Sequence, residues 1–262
     1  VTAYYNEFDA YAAGWLRNLI NERLIADGEV DTRSIVDVRP ADLAGFDQCH
    51  FFAGIGGWSL ALRGARWPDA RPVWTGSCPC RPFSLIGKQA GYADPRHLWP
   101  TWAQLIRERR PAPVFGEQLA TAPRWLRLVR GDLEALGYAV GSLPVEAACA
   151  GAEQLRDRYW FVGLLVNGIE QRLEGHTGHV DQARAQSQAA RSIAPASVQF
   201  RSDQFDLAHC RIDGKVRRVK SGLRLVPDGI PARVDKLRAL GNAVDPRPAC
   251  AFIRAAMQCI GS

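Results

Sequence analysis

Cys80 stands between Pro79 and Pro82 in the stretch SCPCRPFS, and Arg81 follows it directly. The two prolines fix φ on either side, so the loop has few conformations to lose. A thiol held this way is preorganised as a nucleophile, and a neighbouring guanidinium favours the thiolate. The same residues equally make a structural cysteine in a stiff turn, and Cys80 alone does not decide between the two.

Three further groups bear on that choice. Glu117 closes the run VFGEQ, where a carboxyl at a strand end can bond or exchange a proton with a substrate. In QLRDR, Gln154, Arg156 and Arg158 alternate, which puts three polar side chains on one face of a strand. Two of them are guanidinium groups suited to phosphate or carbonyl oxygens, although a surface ladder of ion pairs has the same pattern. Finally, FFAGIGG delivers Gly54, Gly56 and Gly57 at the end of an apolar run. Such a loop lets backbone approach a phosphate, a nucleoside or a carboxylate. The third glycine of the dinucleotide fingerprint is missing, since Ser59 occupies its place, and a plain tight turn explains the motif as well.

The elements that must position these residues alternate. TAYYN, DTRSIVDV, QCHFFAG, RPVWTG, APVFGEQ, YAVGSLPV and RYWFVGLLV read as strands. Helical spacing runs through AYAAGWLRNLINERLI, WSLALRGA, LWPTWAQLIRERR and PRWLRLVRGDLEALG. This alternation predicts an α/β fold: a doubly wound, mainly parallel sheet covered on both faces, with ligands at the carboxyl ends of its strands. After Val166 the chain turns polar, with a helical stretch near 182–191. CRIDGKVRRV then places Asp213-Gly214 between two alternating runs, a hairpin signal. Residues 211–224 carry six basic side chains against one acid. From about Lys236 an apolar helix, PACAFIRAAMQCI, resumes globular character. The expected plan is a catalytic α/β domain over 1–163, a small basic lobe over 164–235, and a closing segment over 236–262.

Composition narrows the class. The 262 residues are 47% hydrophobic and 23% charged, ordinary for a globular protein with a core. Seven scattered cysteines are odd in number and argue against a disulfide framework, and Cys78-x-Cys80 has the wrong gap for zinc. No metal is expected. No apolar run has membrane length and no secretory signal is visible, so a cytoplasmic location is expected. The net charge of +6 favours a polyanionic partner.

Taken together and in this order, the four motifs resemble the DNA cytosine-5 methyltransferases, in particular small phage-like members. The correspondence runs from the glycine loop at 52–57 through Pro79–Ser84, Glu117 and 154–158 to Gly241-Asn242 with Pro246. It covers nearly the whole chain. Only 21 residues separate Gly57 from Pro79, too few for the two strand–helix units the family places there. The N-terminal YYNEFDAYAAGWL looks like that piece. The resemblance therefore implies a permuted order, with the second and third strands of the sheet coming first.

It further implies a Rossmann-like domain that binds S-adenosyl-L-methionine, or a modified analogue, and double-stranded DNA, as a monomer in a bacterial or phage-infected cell. The donor would be held by Phe52, Ala53, Gly54, Ile55, Gly56, Gly57, Glu7 on the ribose, Phe8 on adenine, Ser34, Ile35 or Asp31 at the adenine edge, and by Pro79 and Asn242. Cys80 would add to C6 of a flipped-out cytosine, with Glu117 on N3 and the exocyclic amine. Arg158 would bond the base carbonyl, and Arg156 would support the nucleophile loop. Residues from about 164 to 235 would read sequence in the major groove, with the basic hairpin on phosphates.

Arg81 replaces the family's usual Gln, and Gln118-Leu119 replaces Asn-Val. Arg81 would tune Cys80, contact a phosphate, or accept a donor whose transferred carbon bears a carboxylate. Rival classes are a non-catalytic DNA-binding relative, and an RNA methyltransferase or an enzyme delivering a different one-carbon group.

Overall fold

The computed structural model describes residues 2–79, 97–150, 156–165, 205–209, 216–220 and 242–260. Its chain divides into two compact units, one of Val1–Leu165 with Arg224–Ser262 and the other of Val166–Leu223.

In the larger unit, strands and helices alternate: β1 (Ala3–Asn6), α1 (Ala10–Asn21), β2 (Gly28–Asp31), β3 (Gln48–Phe51), α2 (Gly57–Gly64), β4 (Val73–Gly76), α3 (Trp99–Arg109), β5 (Val114–Leu119), α4 (Pro123–Ala135), β6 (Tyr138–Glu146), β7 (Asp157–Leu165) and α5 (Pro246–Ile260). The sheet order is β2-β1-β3-β4-β5-β7-β6. The first five strands are parallel, and β7 runs antiparallel to both β5 and β6. A Rossmann sheet numbered along its chain reads 3-2-1-4-5. Here the third strand of the chain takes the first strand's central place, and β1 and β2 lie outside it. This is the order in which the second and third strands of the sheet are made first.

Alternation along each strand sorts the core into two faces. Tyr4, Phe51, Trp74, Val114 and Phe161 pack with Trp99, Trp102 and Trp125 from α3 and α4. On the other face, Phe115 and Trp160 meet Trp58 of α2 and Phe252 and Ile253 of α5, while Ala3 and Tyr5 meet Leu16 of α1 and Ile25. The rings pack edge-on or tilted, as at Trp99–Trp102 (5.6 Å, 89°) and Trp58–Trp160 (5.4 Å, 76°). A polar strip runs through this interior: His50 bonds Thr75 (2.7 Å) and stacks on Tyr5, whose hydroxyl reaches the Ala26 carbonyl.

Two sequence expectations shift. The strand expected over DTRSIVDV is Gly28–Asp31 instead, and Ile35–Asp37 forms a 3-10 turn. The reason is local. Asp31 turns its carboxylate back onto the Arg33 N–H (2.8 Å) and guanidinium (2.7 Å), which ends the strand. Ile35 and Val38 then both drop into the core. In the smaller unit, β8 (Phe205–His209) pairs antiparallel with β9 (Val216–Lys220). The second arm falls where the hairpin pattern put it, while the first lies ahead of Cys210. The Asp213-Gly214 turn and the helix near 182–191 fall outside the described residues.

Candidate active site

Chain order reverses across the sheet between β3 and β4, the switch point at whose carboxyl ends an open α/β sheet places its ligands. Strand β3 feeds the glycine loop, and β4 feeds Ser77, Cys78 and Pro79. Cys80, Arg81, Gln154 and Gly241 lie outside the described residues.

The side expected to hold the donor is built by backbone. Phe52 takes a left-handed φ of 52°, with its ring edge-on to Trp102 at 6.2 Å. Such a conformation is costly for a non-glycine residue and is typical of ligand sites. Ala53 is buried, Gly54 and Ile55 are half-buried, and the Ala53 carbonyl accepts from the Gly56 N–H (3.0 Å). Gly56, at φ 82°, caps α2. Gly57 lies so close to Val244 that a Cβ would sit 2.4 Å from its carbonyl oxygen. Glu7 joins this loop from the end of β1. Its Oε2 accepts from the Gly54 N–H (2.6 Å) and its Oε1 from the Asp9 N–H (2.8 Å). Phe8, next to it, is 74% exposed.

The 31–37 turn forms a second wall. Asn6 donates to the Arg33 carbonyl (2.9 Å), Ser34 is half-buried, and Ile35 is buried in the core. Asp31 is committed to Arg33 and to the Tyr4 hydroxyl (2.6 Å). Burial pushes its carboxyl up, but the bonds from Arg33 and Tyr4 outweigh that and hold it below the usual range. Asp31 also lines a cavity with Tyr4, Glu29, Val30, Arg33, Asp42 and Phe46.

The side expected to meet the base is built by charged side chains. Glu117 is 7% exposed, and its Oε1 lies 2.6 Å from Arg158 Nε. Its neighbour Gln118, also buried, donates to the Cys78 carbonyl across the strand gap (2.9 Å). Consecutive residues of β5 point to opposite faces. One therefore holds the arginine, and the other pins the approach to Pro79 and Cys80. Trp58 Nε1 donates to Ser77 Oγ (3.0 Å), a second tether on that approach. Arg156 is half-buried at the entry to β7, and its carbonyl accepts from Ala147 (2.9 Å). Burial, and then nearby Arg158, pull its guanidinium pKa down, opposed by Glu117 and Asp245. Asn242 is exposed, two residues ahead of Val244.

Sequence reasoning missed one contact of this arrangement. Gln118 stood out only as a departure from a pattern, and its bond to Cys78 spans a separation that no local periodicity reports.

Residues 68–224 match the model of the family described as C-5 cytosine-specific DNA methylase. Type II methyltransferase M.BanI of Aneurinibacillus aneurinilyticus is 31% identical over 39% of this chain and 26% of its own length. Type II methyltransferase M.AluI of Cellulosimicrobium cellulans is 30% identical over 56% and 30% respectively. Type II methyltransferase M.HhaI of Haemophilus parahaemolyticus is 24% identical over 49% and 52%. The chain thus spans under a third of the length of the first two and about half of the third. The family match starts downstream of the glycine loop, as it must if two strand–helix units that a linear pattern expects after that loop have moved ahead of it. With more than half of its residues matched and a doubly wound sheet bringing the glycine loop and the strand-end acid to one crevice, the chain belongs to the C-5 cytosine-specific DNA methylase family.

Proposed function

We propose that this protein transfers a methyl group from S-adenosylmethionine to C5 of a cytosine flipped out of DNA, through a transient bond between Cys80 and C6. The observation that carries the reading is the division of labour on β5. Glu117 is paired with Arg158 at 2.6 Å, while Gln118 holds the carbonyl of Cys78, two residues before the thiol.

The donor side fits an adenosyl group. A carboxylate fixed by two amides stands at the end of β1 for the ribose hydroxyls, an exposed ring lies beside it for the base, and a glycine turn opens toward the methionine end. Glu7, Phe8, Ser34, Ile35 and residues 52–57 are the groups that hold it, with Pro79 and Asn242 at the rim. The donor supplies an electrophilic methyl group on a sulfonium.

Every other step belongs to this chain. The Cys80 thiolate forms a bond to C6 and pushes electron density toward N3 and C5. Glu117 accepts from the exocyclic amine and passes a proton to N3, and Arg158 donates to the carbonyl, so the charge that builds on the ring is neutralised. C5 takes the methyl group, with the sulfonium departing as a neutral thioether, and the C5 proton is then lost to solvent as N3 returns its own proton to Glu117. The C6–S bond breaks, the ring double bond re-forms, and the thiolate is regenerated. The lobe over 164–235, with its basic hairpin, grips DNA.

The test is covalent trapping. Duplex DNA carrying 5-fluorocytosine holds the adduct, because fluorine cannot leave as the proton does. A donor-dependent protein–DNA adduct that Cys80→Ser abolishes, with 5-methylcytosine appearing by nucleoside mass spectrometry on ordinary DNA, is the expected result. A chain that binds DNA but traps nothing would be a non-catalytic relative. Modification confined to RNA would move the substrate class.

A further inference from the structure

We propose that Trp58 is a positioning residue for the nucleophile: its indole N–H, bonded to Ser77, fixes the path from β4 toward Cys80 relative to Glu117. The inference rests on the reading above, in which Cys80 adds to a base held by Glu117.

Trp58 follows directly on Gly57, so its place is set by the glycine loop that opens α2. It is 1% exposed. Its ring lies 5.4 Å from that of Trp160 at 76°, and 6.3 Å from that of Phe115 at 33°. Trp160 pairs across the ladder with Glu117, and Phe115 precedes Glu117 by two residues, so all three share one face of the sheet. From the same indole, Nε1 donates to Ser77 Oγ at 3.0 Å. Ser77 is the first residue after β4 and stands three before Cys80. One side chain thus touches both the strand pair that carries Glu117 and the segment that leads to the thiol.

The bond is more than what a buried indole needs in this fold. Among the described residues, Nε1 of Trp102, Trp125 and Trp160 is buried with no hydrogen-bond partner. The residue after Ser77 is held as well: the Cys78 carbonyl accepts from Gln118, which leaves the opposite face of β5 (2.9 Å). Two consecutive residues are therefore tied to the two faces of one sheet. Pro79, its φ fixed by the ring, is then the only residue between the anchored pair and Cys80. An error at the anchor passes to the thiol with little slack to absorb it, and a misplacement of about 1 Å at reacting atoms can cost about 10²-fold in rate.

Trp58→Phe removes the N–H and keeps an aromatic ring. Ser77→Ala removes the acceptor and is the milder change to the fold. The measurement is the rate of adduct formation on 5-fluorocytosine duplex at saturating donor, with donor affinity and the urea midpoint measured separately. Ser77→Ala should lose about ten- to hundredfold in rate, with donor affinity held within about twofold. Trp58→Phe should lose a similar amount, and the double variant no more than the larger single loss, since contacting residues are non-additive. Ser77→Thr keeps the hydroxyl and should recover most of the rate.

A merely structural bond would lower the urea midpoint of Ser77→Ala and leave its saturated trapping rate at the wild-type value; that result overturns the proposal. Losses that multiply in the double variant, or Ser77→Thr no better than Ser77→Ala, overturn it too. Each of these leaves the methyl-transfer reading intact. A wild-type chain that traps nothing overturns both.

Discussion

The two walls of the crevice are made of different materials. On the donor wall, backbone does the positioning: a glycine at φ 82°, a second glycine against a carbonyl, and a carboxylate tied to two amides. On the base wall, charged side chains do it, with Glu117, Arg156 and Arg158 gathered at the junction of β5 and β7. A ligand recognised mainly by shape is served by rigid backbone. A ring that must accept building charge needs ionised groups already in place, and these are costly to bury unless paired. The donor wall should therefore fail through changes of volume, and the base wall through changes of charge.

The sharpest way to break this contrast is Glu117→Gln, which changes charge at nearly constant volume. Methyl transfer should fall by about 10²–10⁴-fold in a single-turnover assay, with donor binding retained. Loss of donor binding together with rate would show that the walls are not separable. Gly57→Ala is the reverse case, adding one methyl group and no charge. Its Cβ would meet the Val244 carbonyl at 2.4 Å, so the helix start must shift. Stability should fall by about 1–3 kcal/mol in urea titration. Donor affinity should drop more than the turnover of the saturated enzyme.

Beneath both walls, burial lowers the His50 pKa to about 3. The unfolded chain takes up a proton near pH 6.5 that the folded chain refuses, so stability is full above that pH and declines below it. The slope should be about 1.4 kcal/mol per pH unit between pH 6 and 4, and His50→Gln should flatten it. The smallest effect belongs to Arg130 and Glu134, an exposed i,i+4 pair on α4, remote in kind from either wall. Arg130→Ala should change stability by no more than about 0.5 kcal/mol and leave trapping untouched.

Much of this was legible in the chain. Seven strands alternating with helices, the glycine loop and the acid at the end of VFGEQ are local signals, written in periodicity and in turn residues. Even the rearranged order showed through, because 21 residues between Gly57 and Pro79 cannot hold two strand–helix units. What stayed hidden was contact across distance. Gln118 meets Cys78 forty residues away, and Glu7 meets the Gly54 amide forty-seven residues away. The 3-10 turn at Ile35 was read as strand because Ile35-Val36 and Val38 are β-formers. The clasp between Asp31 and Arg33, two residues apart, is a side-chain bond that hydrophobic periodicity does not report, and it overrides that preference.

The seam between Gly57 and Val244 also bears on how the protein is made. Trp58 and Trp160 gain their cover of Phe252 and Ile253 from a helix made long after them. That face of the sheet therefore stays open to solvent during synthesis until α5 docks on it.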